Sequence, residues 1–193
     1  MNVIIYHQYI YLQHYLLLVI QLLSYVKNYN LFFFENGIEE IGDNAFQACS
    51  YLAELTLPNS IISIGTFAFE QTGLKSITLP NNITLLNSSL FQNCENLLSI
   101  TIPDSVNSIE PNCFNKCKQL SSVEGLNCVI SIGMSAFYEC TNLELFSPTI
   151  SSAFNNSFTN CKKLKRIKIS EKNDIYFGGY CFLNCISLDI EFP

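Results

Sequence analysis

Nine cysteines and two histidines are the residues of this 193-residue sequence best suited to chemistry. Two Cys-x-x-x-Cys pairs, Cys113/Cys117 and Cys181/Cys185, could suggest zinc binding, but a structural zinc site needs four converging ligands. His7 and His14 both lie near the N terminus, and their spacing of seven is typical of one helix face. We therefore predict no metal site.

Catalytic machinery of other kinds is also missing from the sequence. The eight glycines form no phosphate-binding loop, and the acidic residues show no recurrent carboxylate pair. We predict that the chain is not an enzyme and that it uses no cofactor.

A repeated register accounts for the cysteines better than metal binding does. Cys113 and Cys181 each precede a phenylalanine directly, at a position where other units carry alanine. Because a free cysteine packs as a small hydrophobe, we predict core columns of reduced, buried thiols. The odd total leaves at least one thiol unpaired, and Cys128 fits neither column. Six cysteines lie three residues after a phenylalanine: Cys49, Cys94, Cys117, Cys140, Cys161 and Cys185.

Those phenylalanines recur through most of the chain at intervals of 23, 22, 23, 23, 21 and 24 residues. Self-similarity at such a period is the signature of a solenoid, in which each unit contacts only its neighbours. We number the units one to seven by their phenylalanines: Phe46, Phe69, Phe91, Phe114, Phe137, Phe158 and Phe182.

Each unit follows the pattern I-x-x-I-G-x-x-A-F-x-x-C-x-x-L-x-x-I-x-I-P, with drift. The I-x-I part alternates and is rich in β-branched residues, which predicts a half-buried strand. Pro58, Pro80 and Pro103 end the strand, because proline cannot donate to a ladder. The stretch before Cys49 predicts a turn followed by one or two helical turns, with Ala45 and Cys49 on one face.

The pattern L-x-x-L-x-L within this period closely resembles the BspA-type leucine-rich repeat, as in Ile64–Phe69 and Ile132–Cys140. The resemblance covers about residues 35–193. It implies an α/β-type repeat solenoid with a parallel sheet on the concave side and short helical or irregular turns on the other side. It also implies surface-exposed or secreted proteins that bind extracellular-matrix proteins and host cells.

Residues 1–34 leave three interpretations open. The segment carries no Lys, Arg, Asp or Glu before Lys27, so it could be a membrane or signal segment. It could instead be a degenerate capping repeat, since a shift of 23 residues places Phe32 on Leu55. A mis-called start is the third interpretation. The first two predict a helical or nearly helical stretch over about residues 10–26, and membrane association is expected only through residues 1–26.

Charge is distributed unevenly about a net value of −6. Residues 1–161 hold four basic and twelve acidic residues, a balance of −8, whereas residues 162–193 hold six and four, a balance of +2. A nucleic-acid platform would need a basic face, so we predict no nucleic-acid partner. Half of the basic residues lie in Lys162–Lys168, which is either a solvated strand edge or a contact for an acidic partner or polyanion.

The outward positions of the predicted strands are the candidate binding site, because leucine-rich repeats display this sheet to a partner. The resulting hypothesis is a non-enzymatic protein-binding module for surface adhesion. The alternatives are a cytoplasmic scaffold or regulator, and a partial gene product with no independent function. Most of the candidate residues are small and polar: Glu54, Thr56, Ser76, Thr78, Ser99, Thr101, Ser122, Glu124, Lys165, Arg166 and Lys168.

Overall fold

A computed structural model describes residues 3–5, 31–34, 37–125, 128–129, 131–144, 146, 149–170 and 175–191, of which 3–5, 31–34 and 191 are described by their backbone only. All sixteen strands are short. They are β1 (Val3–Ile5), β2 (Leu31–Phe34), β3 (Glu40–Ile41), β4 (Glu54–Leu55), β5 (Ser63–Ile64), β6 (Ser76–Thr78), β7 (Leu85–Leu86), β8 (Ser99–Ile102), β9 (Ser108–Ile109), β10 (Ser122–Gly125), β11 (Ser131–Ile132), β12 (Thr149–Ile150), β13 (Ser152–Ala153), β14 (Arg166–Ile169), β15 (Tyr176–Phe177) and β16 (Asp189–Glu191).

The strands form a parallel β-solenoid with two strand-bearing sides. One side, which we call the concave side after its place in leucine-rich repeats, carries the predicted I-x-I strands in three short sheets, with orders β1-β2-β4, β6-β8-β10 and β12-β14-β16. The second side carries the I-x-x-I-G segments in two sheets, β3-β5 and β7-β9-β11-β13-β15. The solenoid and its concave parallel strands were predicted, whereas the strands of the second side were not.

The turns that carry the phenylalanines are irregular, and none of the residues described here is helical. The residues two before and two after each key phenylalanine have positive φ, between 55° and 65°. With this backbone geometry every second N–H in the turn points toward the next unit. Phe46 donates to the Ala68 carbonyl at 2.8 Å, and Phe91 donates to the Cys113 carbonyl at 2.8 Å. Of the expected helical or irregular turns, the helical form is not confirmed in these segments, because only alternate donors bond along the chain, as Gln47 does to the Asn44 carbonyl, and the others bond to the next unit.

A continuous file of stacked phenylalanines runs through the core. Successive rings from Phe46 to Phe182 lie 5.1–5.7 Å apart between centroids, with interplanar angles of 3–23°. Offset stacking of this kind adds to the gain from burying the rings. Columns of cysteine, leucine and isoleucine flank the file and are buried along most of the array. The predicted column of phenylalanines is confirmed.

The N-terminal segment joins the concave side through two strands. β1 pairs with β2 in parallel, and β2 pairs with β4 so that Phe32 lies opposite Leu55, the alignment given by the 23-residue shift. The predicted helical stretch over residues 10–26 lies outside the described residues. No helix in the described part of the chain is long and apolar enough to cross a membrane.

The fifth unit departs from the regular pattern. Phe146 occupies the core position of Ile100 and contacts Phe137 and Phe158 edge-on, at centroid distances of 5.2 and 5.1 Å. β12 follows and pairs with β14, so that Ile150 lies opposite Ile169. The aromatic ring therefore packs against the edge of the phenylalanine file where units five and six meet.

Candidate functional site

The central part of the concave sheet presents two rows of small polar side chains. Ser76, Ser99 and Ser122 lie opposite one another in adjacent strands, as do Thr78, Thr101 and Glu124. The intervening residues Ile77, Ile100 and Val123 are buried. Strict alternation along each strand therefore turns these hydroxyls outward, as the sequence predicted.

The ladder of strand hydrogen bonds is interrupted between β4 of unit one and β6 of unit two. β4 and β6 belong to different sheets although they are neighbours, and a groove of about 440 Å³ lies at the break. The exposed residues Glu54, Thr56, Ser76 and Thr78 line it together with Asn59. The predicted site is therefore not one uniform row, since Glu54 and Thr56 face Ser76 and Thr78 across a groove.

The three basic members of the candidate site lie in the third concave sheet, on or just before β14. Arg166 and Lys168 point outward, while Ile167 and Ile169 between and after them are buried. Lys165 is also exposed, and its ammonium forms an ion pair with Glu144 of the preceding unit. Hydrogen bonding to Lys165 lowers the pKa of Glu144 below its ordinary value. Lys165 is thus directed toward unit five, which separates it from Arg166 and Lys168.

A hydrogen-bond ladder of thiols was not foreseen from the sequence. Cys117 donates to the Phe91 carbonyl and Cys140 to the Phe114 carbonyl, each over 3.0 Å. Cys94, Cys161 and Cys185 make the same bond to the phenylalanine of the preceding unit. Thr72 takes the column's place in unit two and contacts Cys94 over 3.2 Å. The single threonine in the Cys column, Thr72, was the sequence signal that this position takes a hydrogen-bonding side chain.

Burial keeps these thiols protonated. It raises the pKa of Cys94 to about 11 and that of Cys49 to about 12. All nine cysteines are free, and Cys128 alone among them is exposed. Since the thiolate is the nucleophile and the metal ligand, buried thiols of raised pKa are poor at both tasks.

Metal-ligating residues do not gather elsewhere in the residues that can be described. No group of three or more His, Cys, Asp or Glu side chains there could hold an ion. The members of each Cys-x-x-x-Cys pair belong to two different core columns, and Cys113 and Cys117 are both fully buried. The site therefore offers hydroxyls, carboxylates and cations for binding.

The sequence matches the family model described as "BspA type Leucine rich repeat region", in six copies over residues 22–144 and 87–193. These matches together span most of the chain. The chain belongs to the BspA-type leucine-rich repeat family. The leucine-rich repeat is a non-enzymatic scaffold fold, and such modules generally bind proteins.

Solved structures of bacterial proteins share the fold. A leucine rich cell surface protein from Faecalibacterium prausnitzii is 20% identical, with a TM-score of 0.54 over 89% of this chain and 62% of that one. The leucine rich repeat protein of T. pallidum is 19% identical, with a TM-score of 0.51 over 82% and 77%. The pneumococcal vaccine antigen PcpA is 20% identical, with a TM-score of 0.50 over 84% and 51%.

These neighbours show the fold of this BspA-type chain and do not show its role. The chain spans 62% of the Faecalibacterium protein and 51% of the pneumococcal antigen. No curated protein matches the sequence.

Proposed function

We propose that this chain is a non-enzymatic protein-binding module that acts in adhesion at the cell surface, with an extracellular-matrix or host-cell protein as its partner. The observation that carries the proposal is the pair of outward rows on β6, β8 and β10, whose members stand opposite one another across three adjacent strands. A repeated surface of short polar side chains gives a partner many equivalent contacts at low entropic cost.

Several features support this surface as the binding face. Short serine and threonine side chains let a partner approach the sheet closely, and each hydroxyl can both donate and accept a hydrogen bond. Glu54 and Glu124 place carboxylates near the two edges of the central rows, while Arg166 and Lys168 place cations at the C-terminal end. Complementary charge of this kind sets the orientation and association rate of a partner more than its affinity.

Binding to a panel of purified matrix proteins (fibronectin, laminin and collagen) tests the proposal. Thr78→Arg with Thr101→Arg would place two long cationic side chains in the middle of the outward row, and we expect binding to fall by about tenfold or more. Ser108→Arg with Ser131→Arg is the matched control, since these residues pair in the same way on the second side. Surface plasmon resonance measures both.

The result is decisive because the two double variants carry the same added charge. If both lose binding equally, the concave face is not the binding surface. If no member of the panel binds the parent chain and intact cells show no surface biotinylation of it, adhesion is the wrong function. Detection of the chain only in the cytosol would support a scaffold role instead.

A further inference from the structure

The densest positive charge in the described chain lies in unit six. Lys162, Lys163, Lys165, Arg166 and Lys168 are all exposed, and Leu164 and Ile167 between them are buried. Six residues of extended chain span at most about 20 Å, so five cations share a short strip that leads into β14, the middle strand of the third concave sheet. On β14 itself the Cα atoms of Arg166 and Lys168 are about 6.6 Å apart on one face.

This strip is peculiar to one unit and is no general feature of the repeat. The positions equivalent to Arg166 carry Glu54, Ser76, Ser99, Ser122 and Asp189, and those equivalent to Lys168 carry threonine, Glu124 or Glu191. Residues 1–161 hold an excess of eight negative charges. An anionic ligand is therefore attracted to unit six and repelled along the rest of the array.

Most of the cations in the strip remain available to a ligand. Lys165 is held by Glu144, and the described residues provide no ion pair for Lys162, Lys163, Arg166 or Lys168. Exposed ammonium and guanidinium groups keep long flexible stems, which adapt to a ligand whose charges are not rigidly spaced.

The surroundings favour a sugar polymer over an acidic protein. Thr149 on β12 lies opposite Lys168 and offers an exposed hydroxyl suited to sugar hydroxyls. Protein interfaces depend on buried aromatic or apolar anchors. Within residues 155–170 no large apolar side chain is exposed.

We infer that the basic strip of unit six binds a sulfated polysaccharide, with Arg166 and Lys168 as its central contacts on β14. Runs of five to eight residues rich in Lys and Arg are typical of sites for polyanions such as heparin. The strip lies in a different sheet from the serine and threonine rows, so heparin binding tests it with no protein partner present. It would give the module a second, salt-sensitive attachment to a glycan-coated surface.

Heparin is the probe, and the repeat itself supplies the variant. Arg166→Ser with Lys168→Thr converts β14 to the Ser-Ile-Thr-Ile sequence that β8 already carries in this fold. We expect heparin affinity to fall by about tenfold or more, and the slope of log K against log salt concentration to decrease by about 1–2. Isothermal titration calorimetry at three salt concentrations measures both quantities.

Lys116→Ser with Lys118→Thr is the matched control, because it removes two exposed cations and changes the net charge equally. We expect less than about a twofold change in affinity from it, since long-range charge alone contributes little at physiological salt. Equal losses in the two double variants would show a non-specific charge effect and overturn the inference. So would undetectable heparin binding by the parent chain at physiological salt.

Two further ligands decide the chemical class. Desulfated heparin should bind much more weakly than heparin, and polyglutamate should do the same. Equal binding of desulfated heparin would overturn the role of sulfate, and tighter binding of polyglutamate would identify an acidic protein as the partner. Binding of the Thr78→Arg, Thr101→Arg variant to heparin should match or exceed that of the parent, which separates this test from that of protein binding.

Discussion

Units three and five build the same turn from different lengths of chain. Unit three takes 23 residues from Phe91 to Phe114, and unit five takes 21 from Phe137 to Phe158. The rings nevertheless stack alike, at 5.5 Å and 4° in the first case and 5.3 Å and 3° in the second. The phenylalanine turn is thus the constant part of the unit.

Unit five is four residues shorter than unit three in the corner between the two sides, and it carries two additional residues between Phe146 and Ile150. In unit three, seven residues lead from Ile102 to Ile109, and Val106 between them is buried. In unit five, only three residues lead from Ile150 to Ala153. Solenoids tolerate such changes because each unit needs to match only its neighbours. The turn is fixed by two ladders of hydrogen bonds, whereas the corner is constrained mainly by burial.

Among the variants that test this comparison, removal of the Phe146 ring should have the largest effect on stability. Phe146→Ala would leave a cavity beside the stacked rings of Phe137 and Phe158, and we expect the free energy of unfolding to fall by about 3–5 kcal/mol. Ile100→Ala at the equivalent position of unit three should cost less, because fewer buried atoms are lost. Equilibrium urea denaturation measures both. A smaller cost for Phe146→Ala than for Ile100→Ala would mean that the edge-on contacts of the ring add little to the stability of unit five.

The buried thiols should make units three and five less stable to unfolding at alkaline pH. An unfolded cysteine ionises near pH 8.5, whereas burial raises the pKa of Cys94 to about 11 and holds that of Cys140 well above its ordinary value. The stabilisation is complete below pH about 8.5 and is lost as the pH rises toward the folded pKa, at about 1.4 kcal/mol per pH unit and thiol. Denaturation at pH 8 and pH 10 should show this loss.

Threonine variants separate ionisation from packing, since Thr72 already occupies the same column. Cys94→Thr or Cys140→Thr should reduce the loss of stability between pH 8 and pH 10, while the hydroxyl still donates to the carbonyl of the preceding unit. An identical pH dependence in the parent and in both variants would show that these thiols are already ionised or accessible.

Substitutions at the residue two after the key phenylalanine, which has positive φ, should change the stability of the chain by a smaller amount. Asn93 in unit three and Glu139 in unit five both have φ of 58°. Because asparagine tolerates this region better than glutamate, Glu139→Asn should stabilise the chain by about 1 kcal/mol, and Asn93→Glu should destabilise it similarly. Thermal unfolding of the two variants measures the change.

Glu139→Gln is the control for the charge of that side chain. Glu139 raises the pKa of Tyr138 by its negative charge and a hydrogen bond. Both Glu139→Asn and Glu139→Gln should therefore lower the pKa of Tyr138, but only Glu139→Asn should raise the melting temperature. Equal stabilisation by the two variants would assign the effect to charge and not to the backbone.

The smallest effect should come from the ion pairs that join neighbouring units. Lys118 contacts Glu95 over 2.7 Å, and Lys165 contacts Glu144; all four side chains are largely exposed. Glu95→Gln should lower the pKa of Lys118, which its hydrogen bond to Glu95 raises, and leave the melting temperature unchanged. Glu144→Gln should likewise leave the melting temperature unchanged. A clear fall in melting temperature for either variant would show that the pair holds the units together.

Much of the fold followed from the sequence, and so did the outward direction of the candidate site. The period of the phenylalanines predicted the stack, and the alternation in Ser99–Ile102 predicted which side chains face outward. The pairing of Lys165 with Glu144 and the groove beside Glu54 were not predicted. They depend on how adjacent units lie against each other, which no single unit encodes.

The sequence by itself determined the repeat, the columns of phenylalanine and cysteine, and the side of each strand that is buried. It could do so because the same apolar spacing returns seven times, and a spacing that returns can be satisfied only by stacking. The tertiary structure alone decided that the turns are irregular, with positive φ on both sides of each key phenylalanine, that the thiols donate to carbonyls, and that Phe146 packs edge-on against two rings of the phenylalanine file. Each of these rests on a hydrogen bond or a contact with a neighbouring unit, so local propensity gave no sign of it.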